Sequence, residues 1–230
     1  NMEFDECGST CNSTCTEPQP ICAQVCVPRC RCPLTTPIYH EHLAYFSVTA
    51  LDHLFRAQDL RLDRIDRLPI HGGSLRVWAA PGAGPPGPTA QALLDQERAN
   101  KLDHPAGYRD FGRAVQHLCT TLRAEIQTLK SQGARVAAYG ASAKGATLMH
   151  AAGLGRDQLD YVVDRAPAKQ GLYTPGTHLP ILAPEHLLED APDVVLLLTW
   201  NHADEILAQQ AEYRARGGKF LVPVPEPRLI

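Results

Sequence analysis

No apolar run in this chain approaches the roughly 18 residues of a membrane-crossing helix, and no stretch concentrates lysine and arginine. The first absence argues against a membrane span. The second, with a net charge of -3 and a pI near 6.4, argues against nucleic acid or an anionic membrane as a partner. The start at Asn1 lacks the charged, apolar and small-residue succession of a signal peptide, as a mature secreted chain also would. Histidine is missing before residue 40, and cysteine is nearly missing after residue 32. Seven of the eight cysteines lie from Cys7 to Cys32, with Cys119 apart, and all ten histidines lie at or after His40. These two distributions separate a head, residues 1–36, from a larger body. At 230 residues, 44% apolar and 20% charged, the chain can bury a sizeable core in one or two domains.

The head has almost no apolar side chains for a core, so a covalent or metallic framework has to hold it. Its cysteines are separated by three, three, six, three, three and one residues. Zinc ribbons use pairs two to four residues apart, so zinc stays open as an alternative, but a disulfide framework fits the spacing better and no metal is expected. FDECGSTC, the TC that follows and CVPRCRCP resemble about the first half of the trypsin-inhibitor-like cysteine-rich domain. That resemblance implies the pairs Cys7–Cys26 and Cys11–Cys22, leaves Cys15, Cys30 and Cys32 without partners, and makes Ala23, Gln24 and Val25 the loop offered to a protease. Gln24 would suit a trypsin-like pocket poorly, so a fragment without inhibitory activity is the favoured expectation, and a protease is a partner through this segment alone.

The body changes period. SVTALDHLFRAQDL, with Ser47 as N-cap and Leu51, Leu54 and Phe55 on one face, reads as a helix. RLDRIDRLPI and SLRVWAA read as a hairpin turning at HGG, residues 71–73. This segment, 37–80, is followed by a proline- and glycine-rich linker at 81–90 and by a unit at 91–230. Helical patterns run through QALLDQERANKL and DFGRAVQHLCTTLRAEIQTLKSQ, the latter ending at Gly133. Four apolar strands follow, ARVAAYG, LDYVVD, VVLLLTW and KFLVPV, separated by helical patterns. That alternation predicts an α/β fold with a small, doubly wound parallel sheet.

Ligands in such sheets collect at the carboxyl ends of the strands, and polar signatures fall there. GASAKGAT, residues 140–147, offers small residues for close backbone approach, a helix start and the cation of Lys144, which together suit a phosphate or diphosphate. Gly140, Ser142, Lys144 and Thr147 are its candidate ligand residues. The stretch matches neither GxGxxG nor GxxxxGK[ST], and a tight structural turn competes with this assignment. Asp164, Lys169 and Gln170 follow the second strand, and Trp200, Asn201 and His202 the third. Asp164 could bind a hydroxyl group, Asn201 could cap the last helix, and His202 could sit in its solvated first turn. Their convergence on one edge makes Asp164, Lys169, Asn201 and His202 further candidates.

YHEH, HGGSLR, YGASAKGAT, VVDRAPAKQG, TPGTHLPIL and TWNHADEI occur in this order, and from about Ile38 to Ile230 the chain resembles the C-terminal part of the sugar C-methyltransferases. The resemblance implies a Rossmann-like C-terminal domain that helps to hold a nucleotide-diphosphate deoxysugar, and S-adenosylmethionine as methyl donor in the family. Methylation beside a ketone needs a base and a group that stabilises the enolate. The family's Y-x-E-H implies those roles for His42 as base, Tyr39 as enolate or ketone contact and Glu41 as orienting partner, with His40 solvated. No glycine-rich S-adenosylmethionine loop precedes YHEH, so the expectation is a truncated C-methyltransferase that keeps the sugar nucleotide, does not bind the donor and is inactive alone, joined to an unrelated head. The alternative is a secreted inhibitor module with a passenger body. The first implies a cytoplasmic protein, the second a secreted one.

Overall fold

The computed structural model describes residues 44–68 and 74–230. The head, with Cys7, Cys11, Cys22 and Cys26, the motif of Tyr39, Glu41 and His42, and the turn expected at HGG, residues 71–73, lie outside the described residues.

Helix α1, Val48–Arg56, begins where Ser47 accepts a hydrogen bond from the Ala50 amide. Its buried face is Val48, Leu51 and Phe55, whereas Leu54 is 43% exposed. Residues spaced by three and four form one stripe, and Leu54 falls to its side, which corrects the face expected from sequence. Strands β1, Leu60–Leu68, and β2, Ser74–Pro81, pair antiparallel from Leu60↔Pro81 to Leu68↔Ser74.

The proline- and glycine-rich stretch after β2 is packed rather than loose at its end. Gly87 donates its amide to Leu62, and a Cβ there would lie 1.7 Å from the Asp63 carbonyl oxygen. Helix α2, Pro88–Ala99, then opens with Ala90 fully buried. Glu97 of α2 reaches back to the start of α1, accepting from the amides of Val48 (2.7 Å) and Thr49 (2.8 Å) and from the Thr49 hydroxyl (2.7 Å). Val48, Phe55, Leu62, Ile65, Ala79, Ala90 and Leu94 close a small core between these elements.

Helix α3, Pro105–Ser131, starts five residues before the DFG stretch, because Pro105 occupies its first turn and the His104 ring accepts from the Ala106 amide. Strands β3, Val136–Tyr139; β4, Val162–Val163; β5, Ile181–Leu182; β6, Val194–Leu197; β7, Lys219–Val222; and β8, Arg228–Leu229, form a sheet in the order β5-β4-β3-β6-β7-β8. All neighbours are parallel except β7 and β8. The four strands expected from sequence are joined by β5 and β8, each two residues long and too short to leave a periodic signal.

Four helices complete the layers: α4, Ala143–Ala152; α5, His186–Asp190; α6, Ala203–Gln209; and α7, Ala211–Ala215. The helical pattern HADEILAQQAEYRAR, which follows the third strand, is broken at Gln210 into α6 and α7. One sheet face packs Val136, Ala138, Val162, Val194 and Leu196 against Leu122 and Ile126 of α3 and Leu148 and Met149 of α4. The other packs Ala137, Tyr139, Val163, Val195 and Leu197 against Leu187 of α5, Ile206 of α6 and Tyr213 of α7. Alternate residues of β3, β4, β6 and β7 therefore enter different cores, which is why these strands are apolar apart from the exposed Lys219 that starts β7. Each leucine or phenylalanine withdrawn from water there contributes about 1.5–3 kcal/mol.

Candidate functional site at the strand ends

From β3 the chain winds through β4 to β5 on one side, and from β6 it winds through β7 on the other. The order reverses between β3 and β6, and a crevice opens there at the carboxyl ends of the two strands. Gly140 leaves β3 at φ +96°, and a Cβ on it would lie 2.5 Å from the Thr199 methyl after β6. Only glycine meets both conditions.

Ser142 caps α4, its hydroxyl accepting from the Gly145 amide at 3.0 Å. The amides of Ala143 and Lys144, in the first turn, have no acceptor within the helix. Lys144 extends across the crevice, donating to Asn201 Oδ1 at 3.0 Å with its ammonium 4.9 Å from the centre of the Trp200 ring. Gly145 lets α4 press onto the sheet, since a Cβ there would stand 2.7 Å from Leu198 Cβ. The result is a shelf holding one cation, helix-start amides and an aromatic ring.

Asp164 stands at the end of β4 and is 8% exposed. One carboxylate oxygen accepts from the Ala141 amide at 2.7 Å and from Lys169 at 3.2 Å, the other from the Ala166 amide at 2.8 Å. Lys169, in a 3-10 turn over Pro167–Lys169, also donates to the Ala141 carbonyl at 2.9 Å, and Gln170 donates to the Asp164 carbonyl.

The structure thus brings Gly140, Ser142, Lys144 and Asn201 together and binds Asp164 and Lys169 to the loop beside them. Asn201 lies in a 3-10 turn over Trp200–His202 and bonds Lys144, so it does not act as the helix cap that its position suggests. The Thr147 hydroxyl donates to the Ala143 carbonyl of its own helix. His202 is exposed, 3.9 Å from Glu205. Sequence gave no role to Trp200 or Thr199. The aromatic beside Asn201 at a strand end was the available signal for Trp200. Thr199 Oγ1 is buried and has no hydrogen-bond partner among the described residues, which only the fold could reveal.

Two clefts lie elsewhere. One, of about 500 Å³, is lined by Val48, Arg67, Leu75, Leu93 and Glu97; the other, of about 450 Å³, lies between Lys130, Arg135, Tyr161, His186 and Asp190. In the second, Lys130 pairs with Asp160, while Arg135 and the Tyr161 phenol bond Asp190, so its charges are already answered. The strand-end shelf is distinguished by the Lys144 ammonium and by the first α4 amides, those of Ala143 and Lys144, which find no acceptor among the described residues. Among the described residues no group of three His, Cys, Asp or Glu could hold a metal, and no helix is long and apolar enough to cross a membrane.

Residues 69–225 match the C-methyltransferase C-terminal domain. Over 195 residues, 84% of this chain, the sequence is 37% identical to the C-methyltransferase NovU of Streptomyces niveus. The match covers 46% of that protein, so the chain spans about half the length of the curated relative it matches.

Proposed function

Because the chain belongs to the C-methyltransferase C-terminal domain family, we propose that its α/β unit binds a nucleotide-diphosphate deoxysugar, holding the diphosphate on the shelf between β3 and β6. The observation that carries this is the Lys144 ammonium, held at the switch point by Asn201 and Trp200 beside the amides that open α4. Amides at a helix start favour an anion, and an ammonium adds a charge-assisted hydrogen bond. The Trp200 ring offers an apolar face to a sugar or base.

S-adenosylmethionine, which the family implies, does not fit these residues. Its sulfonium would meet the like charge of Lys144, and its ribose hydroxyls would need a free carboxylate, whereas Asp164 is taken by two amides and Lys169. No step of methyl transfer is assigned to the shelf. Tyr39, Glu41 and His42 enter the proposal as enolate contact, orienting partner and base, and lie outside the described residues.

Titration calorimetry of the chain with a thymidine-diphosphate deoxysugar, and separately with S-adenosylmethionine, tests the proposal. Binding of the sugar nucleotide should weaken roughly tenfold in Lys144→Ala, the worth of one charge-assisted hydrogen bond, with no heat from S-adenosylmethionine. Sugar-nucleotide affinity indifferent to Lys144, or donor binding at this shelf, would overturn it.

A further inference from the structure

The carboxylate at the end of the second parallel strand is where a dinucleotide-binding fold commonly holds ribose hydroxyls. Here that carboxylate is turned inward. Asp164 is 8% exposed, and three of its roughly four acceptor directions are used, by the Ala141 amide, the Ala166 amide and Lys169. Lys169 spends two of its three protons on Asp164 and on the Ala141 carbonyl. Both polar groups of Ala141, the residue between Gly140 and the α4 cap, are thus held by one ion pair.

We infer that Asp164 and Lys169 are positioning residues, which lock the 140–142 loop in its anion-receiving conformation and touch no ligand themselves. The ligand concerned is the diphosphate proposed above. The pair has an electrostatic role as well. An unneutralised Asp164 would set a negative charge beside a site that receives an anion, and Lys169 cancels it, so that Lys144 and the helix-start amides dominate the local field. The pairing also makes the shelf indifferent to ribose hydroxyls at this position.

The test is a titration of the full chain with thymidine diphosphate at low and at physiological salt, for wild type, Lys169→Met, Asp164→Asn and the double variant. Lys169→Met should weaken binding roughly tenfold at low salt, and by less at physiological salt, because the uncancelled Asp164 charge acts through a repulsion that salt screens. Adding Asp164→Asn should restore most of the affinity, since the uncancelled charge goes with it, a coupling that a double-mutant cycle reads directly. A contact role for Lys169 predicts no restoration, because the contact is missing from the double variant as well, and that result would overturn the inference. So would unchanged affinity in Lys169→Met. If wild type binds no thymidine diphosphate, the proposed function fails, and the clamp is judged by hydrogen exchange at the Ala141 and Ala166 amides. Faster exchange in Lys169→Met and Asp164→Asn upholds the clamp, and unchanged exchange refutes it.

Discussion

Gly145 of α4 rests against Leu198 after β6 so closely that a Cβ on the glycine would stand 2.7 Å from the leucine Cβ. The helix that carries the shelf's amides is therefore set at its height above the sheet by the absence of one methyl group. In Gly145→Ala, α4 must lift or β6 must give, at a cost of about 1–3 kcal/mol. The denaturation midpoint should fall and thymidine-diphosphate affinity should fall with it. A variant as stable as wild type with unaltered affinity would show that α4 is not held at this contact.

Trp200 lies beneath the Lys144 ammonium, so a diphosphate that engages Lys144 should change indole emission. The expected signal is a fluorescence change on adding thymidine diphosphate that disappears in Trp200→Phe and persists in Trp78→Phe. Persistence of the signal in Trp200→Phe would move the ligand away from the crevice.

Glu97 accepts three hydrogen bonds from Val48 and Thr49, answering amides that the first turn of α1 leaves open. Removing the carboxylate in Glu97→Ala should cost about 1–3 kcal/mol, with Glu97→Gln, which keeps one acceptor, losing less. Equal midpoints for wild type and Glu97→Ala in urea denaturation would rule the clamp out as a stabilising element.

The phenols of Tyr139, Tyr161 and Tyr213 are all pushed up, in each case first by burial; for Tyr161 the hydrogen bond to Asp190 adds to the rise, and for Tyr213 the charge of Asp193 does. A raised folded value means that the unfolded chain loses these protons first, near pH 10. Their contribution is complete below that pH and declines as pH rises above it toward the folded values. Stability should therefore fall between about pH 9.5 and 11, and less steeply in Tyr213→Phe than in wild type. Parallel curves for the two proteins would refute this assignment.

The parallel sheet was legible because β3, β6 and the part of β7 after Lys219 bury both faces and so are continuously apolar, while Ser47 announced its helix by chemistry alone. The tight strand-to-helix turn at 140–147 was legible for local reasons as well, from small residues and a lysine in succession at a strand end, whereas Ser142 as the cap of α4 came only with the structure. What stayed hidden depends on distant partners. Asp164 looked like a ligand at a strand end because nothing nearby in sequence says that the Ala141 amide, 23 residues earlier, donates to its carboxylate. Asn201 looked like a cap because Lys144 is 57 residues away. The stretch expected as a linker looked like bare tether because glycine and alanine carry no visible core signal, although Gly87 is small so that backbone can lie against β1 and Ala90, already in α2, is fully buried.

The sheet order has a consequence for persistence. β3 is hydrogen-bonded to β4 and β6, and β6 to β3 and β7, so the strands that end at the shelf are both interior. Fraying begins at rims and spreads inward, and interior strands are the last to open. Loss of β5 or β8 would strip the margins and leave the crevice standing. Exchange of the proposed diphosphate would then depend on movement of the loops above the strands, because the floor beneath them is made of interior strands.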